Sequence, residues 1–332
     1  MNGLVYIGKV IEIVPIPEAD QIVQAIVVCG AGGKWSGVVR KVDVSQGDIV
    51  EAYLPDSLLP ATDRFAFMQS RKYRVRQARF KGCPSTCLIM PMGEQMIMTS
   101  QTGIGMDITD IIGVTKYEKP IPASMSGKAR GNFPAFIPKT DEPYYQKSQH
   151  LVEALQNQPF YVTLKYDGCS GTAYLDGDNR FGVCSRNLEL IDAPGCVWWE
   201  MAKKYRLEEA LRNFGAPLAV QFEVIGPGVQ GNPLGLKEHE IKVFDIYWTG
   251  IGQYGSLYDL KRFCRDSALP MVEVLLEGGC WGLGEAGMQG FAESTKYPNG
   301  KPGEGVVIRP QVYQTVGYDR LSFKVVNLLY KD

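Results

Sequence analysis

The chain has 332 residues, with 35 Lys and Arg against 36 Asp and Glu, a formal net charge of −1 and 45% apolar residues. That size and composition allow two globular domains with ample core. They exclude polyanion binding through overall charge, so any such contact must come from a local patch. No apolar run approaches the roughly 20 residues of a helical membrane span, and no membrane partner is expected.

In chain order, strand-like runs come first, at Leu4–Ile13, Gln21–Cys29, Trp35–Val39, Asp48–Tyr53 and Cys87–Ile89, separated by Gly, Pro and Asp clusters. This spacing predicts an OB-type Greek-key barrel over residues 1–118, a fold suited to single strands and unusual helices. Within it lies an acid-free basic stretch, Arg71, Lys72, Arg74, Arg76, Arg79 and Lys81, interleaved with Tyr73 and Phe80. On a barrel face these cations would track a phosphate backbone with salt-sensitive affinity.

The run Pro120–Lys128 reads as an exposed linker, assigned to 119–131, and a second domain is expected over 132–332. A helix near His150–Leu155 leads into the strand Phe160–Leu164. A hairpin follows, turning at Asp176-Gly177-Asp178-Asn179. The longest helix candidate is Ala193–Phe214, stopped by Gly215. Another begins at Ser256, with Asp259 completing a capping-box pair. Strands mixed with a few helices predict an α+β fold with antiparallel sheets.

The eight cysteines (29, 83, 87, 169, 184, 196, 264 and 280) show no paired metal-binding spacing, and His150 and His239 are the only histidines. Cys83 and Cys87 lack a second pair, which argues against zinc. Scattered cysteines without a signal peptide predict a reducing, cytoplasmic setting. Neither histidine has a nucleophile context, so a Ser-His-Asp hydrolase is unattractive.

Chemistry concentrates in the second domain. Lys165-Tyr166-Asp167-Gly168 closes the strand Phe160–Leu164 and precedes small residues. A lysine there suits a covalent nucleophile, because burial and nearby cations lower an amine's pKa. Asp167 is expected to position the loop, and Gly168 to permit a sharp turn or close approach. Further polar islands sit in apolar β sequence. They are Val183–Asn187, Val220–Gly226, Ile241–Tyr247, Glu304–Arg309 and Leu321–Val326.

These motifs, in this order, resemble the covalent nucleotidyltransferase superfamily of polynucleotide ligases and mRNA capping enzymes. The resemblance implies that Lys165 carries a nucleoside monophosphate. Arg186 and Glu223 would hold its ribose and phosphate, Phe244 would stack on the base, and Leu164 would line the nucleotide. Glu304, with Glu223, would stand near a catalytic metal, and Lys324 would grip the α-phosphate. The residue types suit these tasks. A base needs a flat apolar surface, developing phosphate charge needs aimed cations, and Mg²⁺ wants one or two carboxylates plus substrate oxygens.

Two departures stand out. Thr163 and Leu164 occupy the places where many relatives have an adenine-reading glutamate. Val326 occupies the place of a second lysine, so that either Arg320 or another basic residue compensates or triphosphate binding is weaker than usual.

Only 8 residues follow Lys324, too few for the barrel that DNA ligases and capping enzymes usually carry there. Gly105–Glu118 is similar to the junction of the Deinococcus-type RNA ligases, in which an OB domain precedes the ligase domain. Phe133–Glu142 is similar to a segment ahead of the ligase fold in several RNA ligase branches. The resemblance therefore implies an ATP-dependent RNA ligase using Mg²⁺ or Mn²⁺, expected to be a monomer. It would seal 3′-hydroxyl/5′-phosphate breaks, especially nicks in RNA-containing duplexes, through lysyl-AMP and an adenylylated 5′ end. The alternatives are a DNA ligase or GTP-using capping-type enzyme, and a non-catalytic nucleic-acid-binding protein.

Overall fold

The structure is a computed structural model, described for residues 3–30, 33–93, 103–117, 129–280 and 282–330. The chain divides into two compact units, residues 1–119 with 146–149, and residues 120–145 with 150–332. Most of the linker expected at 119–131 lies outside the described residues. Its end is not linker, because Ala129–Asn132 (β6, numbered after the five strands of the first unit's main sheet) pairs with Leu188–Leu190.

In the first unit, β1 (Val5–Pro15), β2 (Ile22–Cys29), β3 (Gly33–Arg40), β4 (Ile49–Tyr53) and β5 (Leu88–Pro91) form an antiparallel sheet ordered β3-β2-β1-β4-β5. A register shift between Val10 and Glu12 adds a residue to β1, a device that bends a strand and increases its twist. The sheet curls until the Thr86 and Cys87 amides both donate to the Ser36 carbonyl, at 2.7 and 3.0 Å, bringing its two edges together. Alternation along the strands puts Val5, Ile7 and Tyr53 into a core with Phe65, Met68, Val75, Ile108 and Val114. The sheet is an OB-fold half-barrel, as its strand spacing predicts.

Two large antiparallel sheets form the body of the second unit. The larger has seven strands. They are β6, β8 (Cys169–Leu175), β9 (Phe181–Ser185), β10 (Leu188–Leu190), β11 (Leu218–Ile225), β12 (Glu240–Trp248) and β13 (Gln253–Tyr254), in the order β6-β10-β9-β8-β11-β12-β13. The smaller is ordered β14-β7-β15-β16, from β7 (Phe160–Lys165), β14 (Val274–Gly278), β15 (Gly305–Pro310) and β16 (Phe323–Val326). Each sheet buries one face under helices. Trp198, Met201, Leu211 and Phe263, from three helices, cover Ala173, Val220 and Val243 of the large sheet. Leu151 and Leu155 of α1 (Gln149–Leu155) and Met288 and Ala292 of a later helix cover Val162, Ile308 and Phe323 of the small one.

The single helix expected over Ala193–Phe214 is two, α2 (Val197–Lys204) and α3 (Leu207–Phe214). Arg206 adopts a left-handed conformation (φ 51°) that breaks the run, so both short helices pack on the large sheet. Gly215 ends α3 in the expected left-handed cap, and Ser256 and Asp259 form the expected capping box of α4 (Leu257–Asp266).

Candidate active site

Lys165 is the last residue of β7, on the face turned away from the helices. The register aligns Thr163 with Val307 and Lys324, and Lys165 with Gly305 and Val326. Tyr166, Asp167 and Gly168 then carry the chain from the small sheet to the large one, where Cys169 begins β8. At Gly168 a Cβ would lie 2.3 Å from the Val224 carbonyl oxygen and 2.7 Å from Glu223 Cγ. Any side chain there would push β11 and Glu223 away from the nucleophile loop. Gly305, just after Glu304, has φ 148°, and a Cβ there would meet the Val325 carbonyl oxygen at 2.2 Å. Glycine at these two positions brings the site's carboxylates in.

Lys165 Nζ donates to Glu304 Oε2 at 2.7 Å, with the lysine side chain 26% exposed. Burial pushes the amine's pKa down, but Glu304, Glu223 and Asp167 outweigh it and hold Lys165 above the ordinary lysine value. This corrects the expectation of a lowered pKa. Carboxylates dominate the field at the amine, and the strand position in register with it across Gly305 carries Val326 and no lysine. Asp167 is buried, with Oδ2 accepting from the Tyr330 hydroxyl at 2.8 Å.

On the large sheet, Glu223 lies between Ser170 and Lys242 in the cross-strand register. One residue later the register slips. Phe222 pairs with Val243 and Gln221 with Asp245, leaving Phe244 as the extra residue of a bulge. Bulges re-aim side chains beside active sites. Here the Phe244 ring stays partly exposed, against Leu164, Tyr166, Ile225, Val272 and Tyr297. Its carbonyl accepts from Arg309 Nη1 at 3.0 Å.

Leu164 is not placed as expected. Its side chain is buried in that cluster and its amide donates to the Glu273 carbonyl at 3.0 Å, so it supports the site from below. Arg186 pairs with Asp141 at 2.6 Å in the turn after β9, so a ligand would have to take it from that carboxylate. The Lys324 ammonium sits 4.1 Å from the Tyr144 ring centroid. Arg320, a candidate substitute for the missing second lysine, is committed elsewhere, at 2.5 Å from Asp245 with its guanidinium 3.4 Å over Tyr254.

The basic stretch of the first unit also divides. Arg74 turns inward, bonded to Asp56 at 2.8 Å and stacked 4.0 Å over Tyr117, so it holds the fold together. Arg71 stacks on Phe80, Arg79 donates to the Gly82 carbonyl and Lys81 to the Glu18 carbonyl. Arg71, Lys72, Arg76 and Lys81 remain exposed and Arg79 half-buried.

Among the described residues no three His, Cys, Asp or Glu groups are grouped to hold a metal ion. The one or two carboxylates, waters and substrate oxygens that suit Mg²⁺ need no such cluster, and Glu304 with Glu223 fits that mode. Sequence reasoning missed Tyr297, Asn327 and Tyr330, which lie in turns with no strand or motif pattern. It also missed Glu142 as the partner of Arg309.

Comparisons with known proteins match both units of the chain. An RNA ligase family model matches residues 158–326, and an OB-fold domain model matches residues 4–92. No curated protein matches the chain. Among solved structures it is similar to an RNA ligase of Naegleria gruberi. An aspartate-to-alanine variant without ligand has TM-score 0.84 and 29% identity, covering 98% of this chain and 96% of that one. A lysine-to-alanine variant with ATP and Mn has the same score and identity, covering 98% and 97%. A lysine-to-methionine variant with AMP and Mn has TM-score 0.83 and 30% identity, covering 98% and 96%.

Proposed function

This chain belongs to the RNA ligase family, and on that premise we propose that it seals 3′-hydroxyl/5′-phosphate breaks in RNA through a lysyl-AMP intermediate on Lys165. It is an ATP-dependent enzyme that uses a divalent metal, like the Naegleria ligase seen with ATP and Mn and with AMP and Mn. The observation that carries the reading is the Lys165–Glu304 pair at 2.7 Å, on the sheet face that also bears Lys324.

In the first step Lys165 Nζ attacks the α-phosphorus of ATP. The N–P bond forms as the bond to the bridging oxygen breaks, and pyrophosphate leaves. The amine must first shed an ammonium proton, one of which lies in the hydrogen bond to Glu304 Oε2. Glu304 and Glu223 would hold the metal, which supplies positive charge against the charge developing on the phosphate oxygens. Lys324 adds a fixed cation, Phe244 offers the base a flat apolar surface, and Arg186 reaches ribose or phosphate after leaving Asp141. In the second step an RNA 5′-phosphate oxygen takes AMP, breaking the N–P bond and freeing Lys165. In the third the 3′-hydroxyl attacks that 5′-phosphate and AMP departs. Alignment and electrostatics carry most of such a transfer.

A nick in an RNA-containing duplex is the substrate we infer, with Arg71, Lys72, Arg76, Arg79 and Lys81 of the OB unit contacting the phosphate backbone. The protein is read as a monomer in a reducing, cytoplasmic setting, which its eight free cysteines suit. Mass spectrometry after incubation with ATP and Mg²⁺ or Mn²⁺ tests the chemistry. An AMP adduct on Lys165 is expected, and its absence overturns the reading. Nicked duplexes with ribo- or deoxyribonucleotides on either side test the substrate, and equal sealing of an all-DNA nick would remove the RNA assignment.

A further inference from the structure

One buried hydroxyl touches both halves of the nucleophile pair. The Tyr297 hydroxyl accepts from the Asp167 amide at 3.0 Å and from the Glu304 amide at 3.2 Å, and lies 3.4 Å from the Lys165 carbonyl oxygen as its donor. Asp167 and Glu304 are 137 positions apart in the chain. They lie just beyond the paired ends of strands β7 and β15, and this oxygen bonds to the backbone of both where the strand pairing stops. The Tyr297 ring is held on both sides, stacked on Tyr166 at 5.5 Å and edge-on to Tyr330 at 6.3 Å. It is 2% exposed.

A second hydroxyl completes the arrangement. Tyr330 donates to Asp167 Oδ2 at 2.8 Å. It is delivered there by a turn built on Asn327. The Asn327 amide donates to the Glu304 carbonyl at 2.9 Å and its side-chain amide to the Gly303 carbonyl at 2.8 Å. Its Oδ1 accepts from the Leu329 amide at 2.9 Å. The residues after β16 thus fold back on the strand that presents Glu304 and end on the loop that presents Lys165.

We propose that Tyr297 and Tyr330 are positioning residues for the first step, Tyr297 fixing the Lys165 loop against Glu304 and Tyr330 fixing the carboxylate of Asp167. The inference rests on the reading of Lys165 as the nucleophile. It assigns the hydroxyls no contact with ATP. They act through the backbone and through Asp167, so they govern the rate of N–P bond formation and leave ATP binding alone. A displacement of about 1 Å in such a site costs up to roughly a hundredfold in rate.

The test is the rate of AMP-adduct formation against ATP concentration for wild type, Tyr297→Phe and Tyr330→Phe, with thermal unfolding of each. Both substitutions keep the ring and remove only the oxygen. Tyr297→Phe is expected to slow maximal adduct formation roughly ten- to hundredfold, with the half-saturating ATP concentration within about twofold of wild type. Tyr330→Phe is expected to slow it by a smaller factor. Because Tyr330 acts through Asp167, adding Tyr330→Phe to Asp167→Asn should cause little further loss. A Tyr297→Phe protein that labels as fast as wild type overturns the inference alone, as does a fully additive loss in the Asp167→Asn pair. Absence of any adduct on wild type overturns the ligase reading beneath it. Should Tyr297→Phe fail to fold, the partly exposed Tyr330 carries the same comparison in its pairing with Asp167→Asn.

Discussion

Strand β15 carries an ion pair at each end, and the two could hardly be more different. At its head, Glu304 holds Lys165 in a pair that is 26% exposed on the lysine and 17% on the glutamate. At its foot, Arg309 is 3% exposed and sits 2.6 Å from Glu142 and 3.4 Å from Asp245, with Ser322 and the Phe244 carbonyl taking further bonds. Arg320 closes that cluster from the other side of Asp245. Every charge at the foot is matched by protein groups. At the head, Glu304, Glu223 and Asp167 all act on the Lys165 ammonium, and the pair is open enough for a ligand to reach. The same six-residue strand therefore has a structural end and the end at which the proposed nucleophile sits. The structural end holds Phe244 in place through its carbonyl.

The comparison breaks if the two ends respond alike to mutation. Lys165→Arg should abolish AMP labelling and sealing, a loss of at least ~10³-fold, with unfolding little changed, since arginine keeps the charge beside Glu304 and cannot form the adduct. Next in size, Arg309→Met should cost about 3–5 kcal/mol in a denaturant titration, because it leaves two interior carboxylates, Glu142 and Asp245, with Arg320 as their one remaining cation. Glu304→Gln should reverse that pattern. We expect roughly a hundredfold slower adduct formation but a stability change below about 1 kcal/mol, since the pair it removes is partly solvated.

The candidate-site end could be picked out in the sequence and the structural end could not. Lys165, Glu223, Phe244, Glu304 and Lys324 stand in polar islands within apolar strands, and a pattern of that kind survives without coordinates. Arg309 belongs to the same island as Glu304, yet its partner Glu142 lies 167 positions away in a segment with no strand pattern. Tyr297 and Tyr330 are hidden for the same reason, since a hydroxyl in a turn has no periodicity. Local backbone choices were equally silent. Nothing in Tyr205-Arg206-Leu207 announces the left-handed Arg206 that splits the expected helix. The strand and cap chemistry fared better, because alternation, Gly215 and the Ser256–Asp259 pair are properties of neighbouring residues.

Acid should separate the ends further. Burial alone would raise the Glu142 pKa, but Arg309, Arg320 and Ser322 hold it below the ordinary value of 4.5. A carboxylate depressed on folding stabilises above its unfolded pKa, and that contribution fades as pH falls through the folded one. Melting temperatures should therefore fall more steeply below about pH 4.5 in wild type than in Glu142→Gln, although the variant starts lower. Lys165 behaves in the opposite sense. Its pKa is raised, so its share of stability is intact throughout the neutral range and is lost only when strong alkali removes the proton.

The smallest effect concerns Val326. It stands two strands from Lys165, in register across Gly305, a separation of about 10 Å between backbones. A lysine there would add a like charge on the same sheet, disfavouring the ammonium form of Lys165 and lowering its pKa. Adduct formation needs the neutral amine, so its rate should rise with pH over the range in which Lys165 is mostly protonated. In Val326→Lys that rising limb should move toward lower pH, by about one unit or less, because the added charge is partly screened. Labelling rates measured against pH at saturating ATP would show it. An unmoved limb would mean that Glu304, Glu223 and Asp167 set the proton on Lys165, leaving the register position across Gly305 without electrostatic influence.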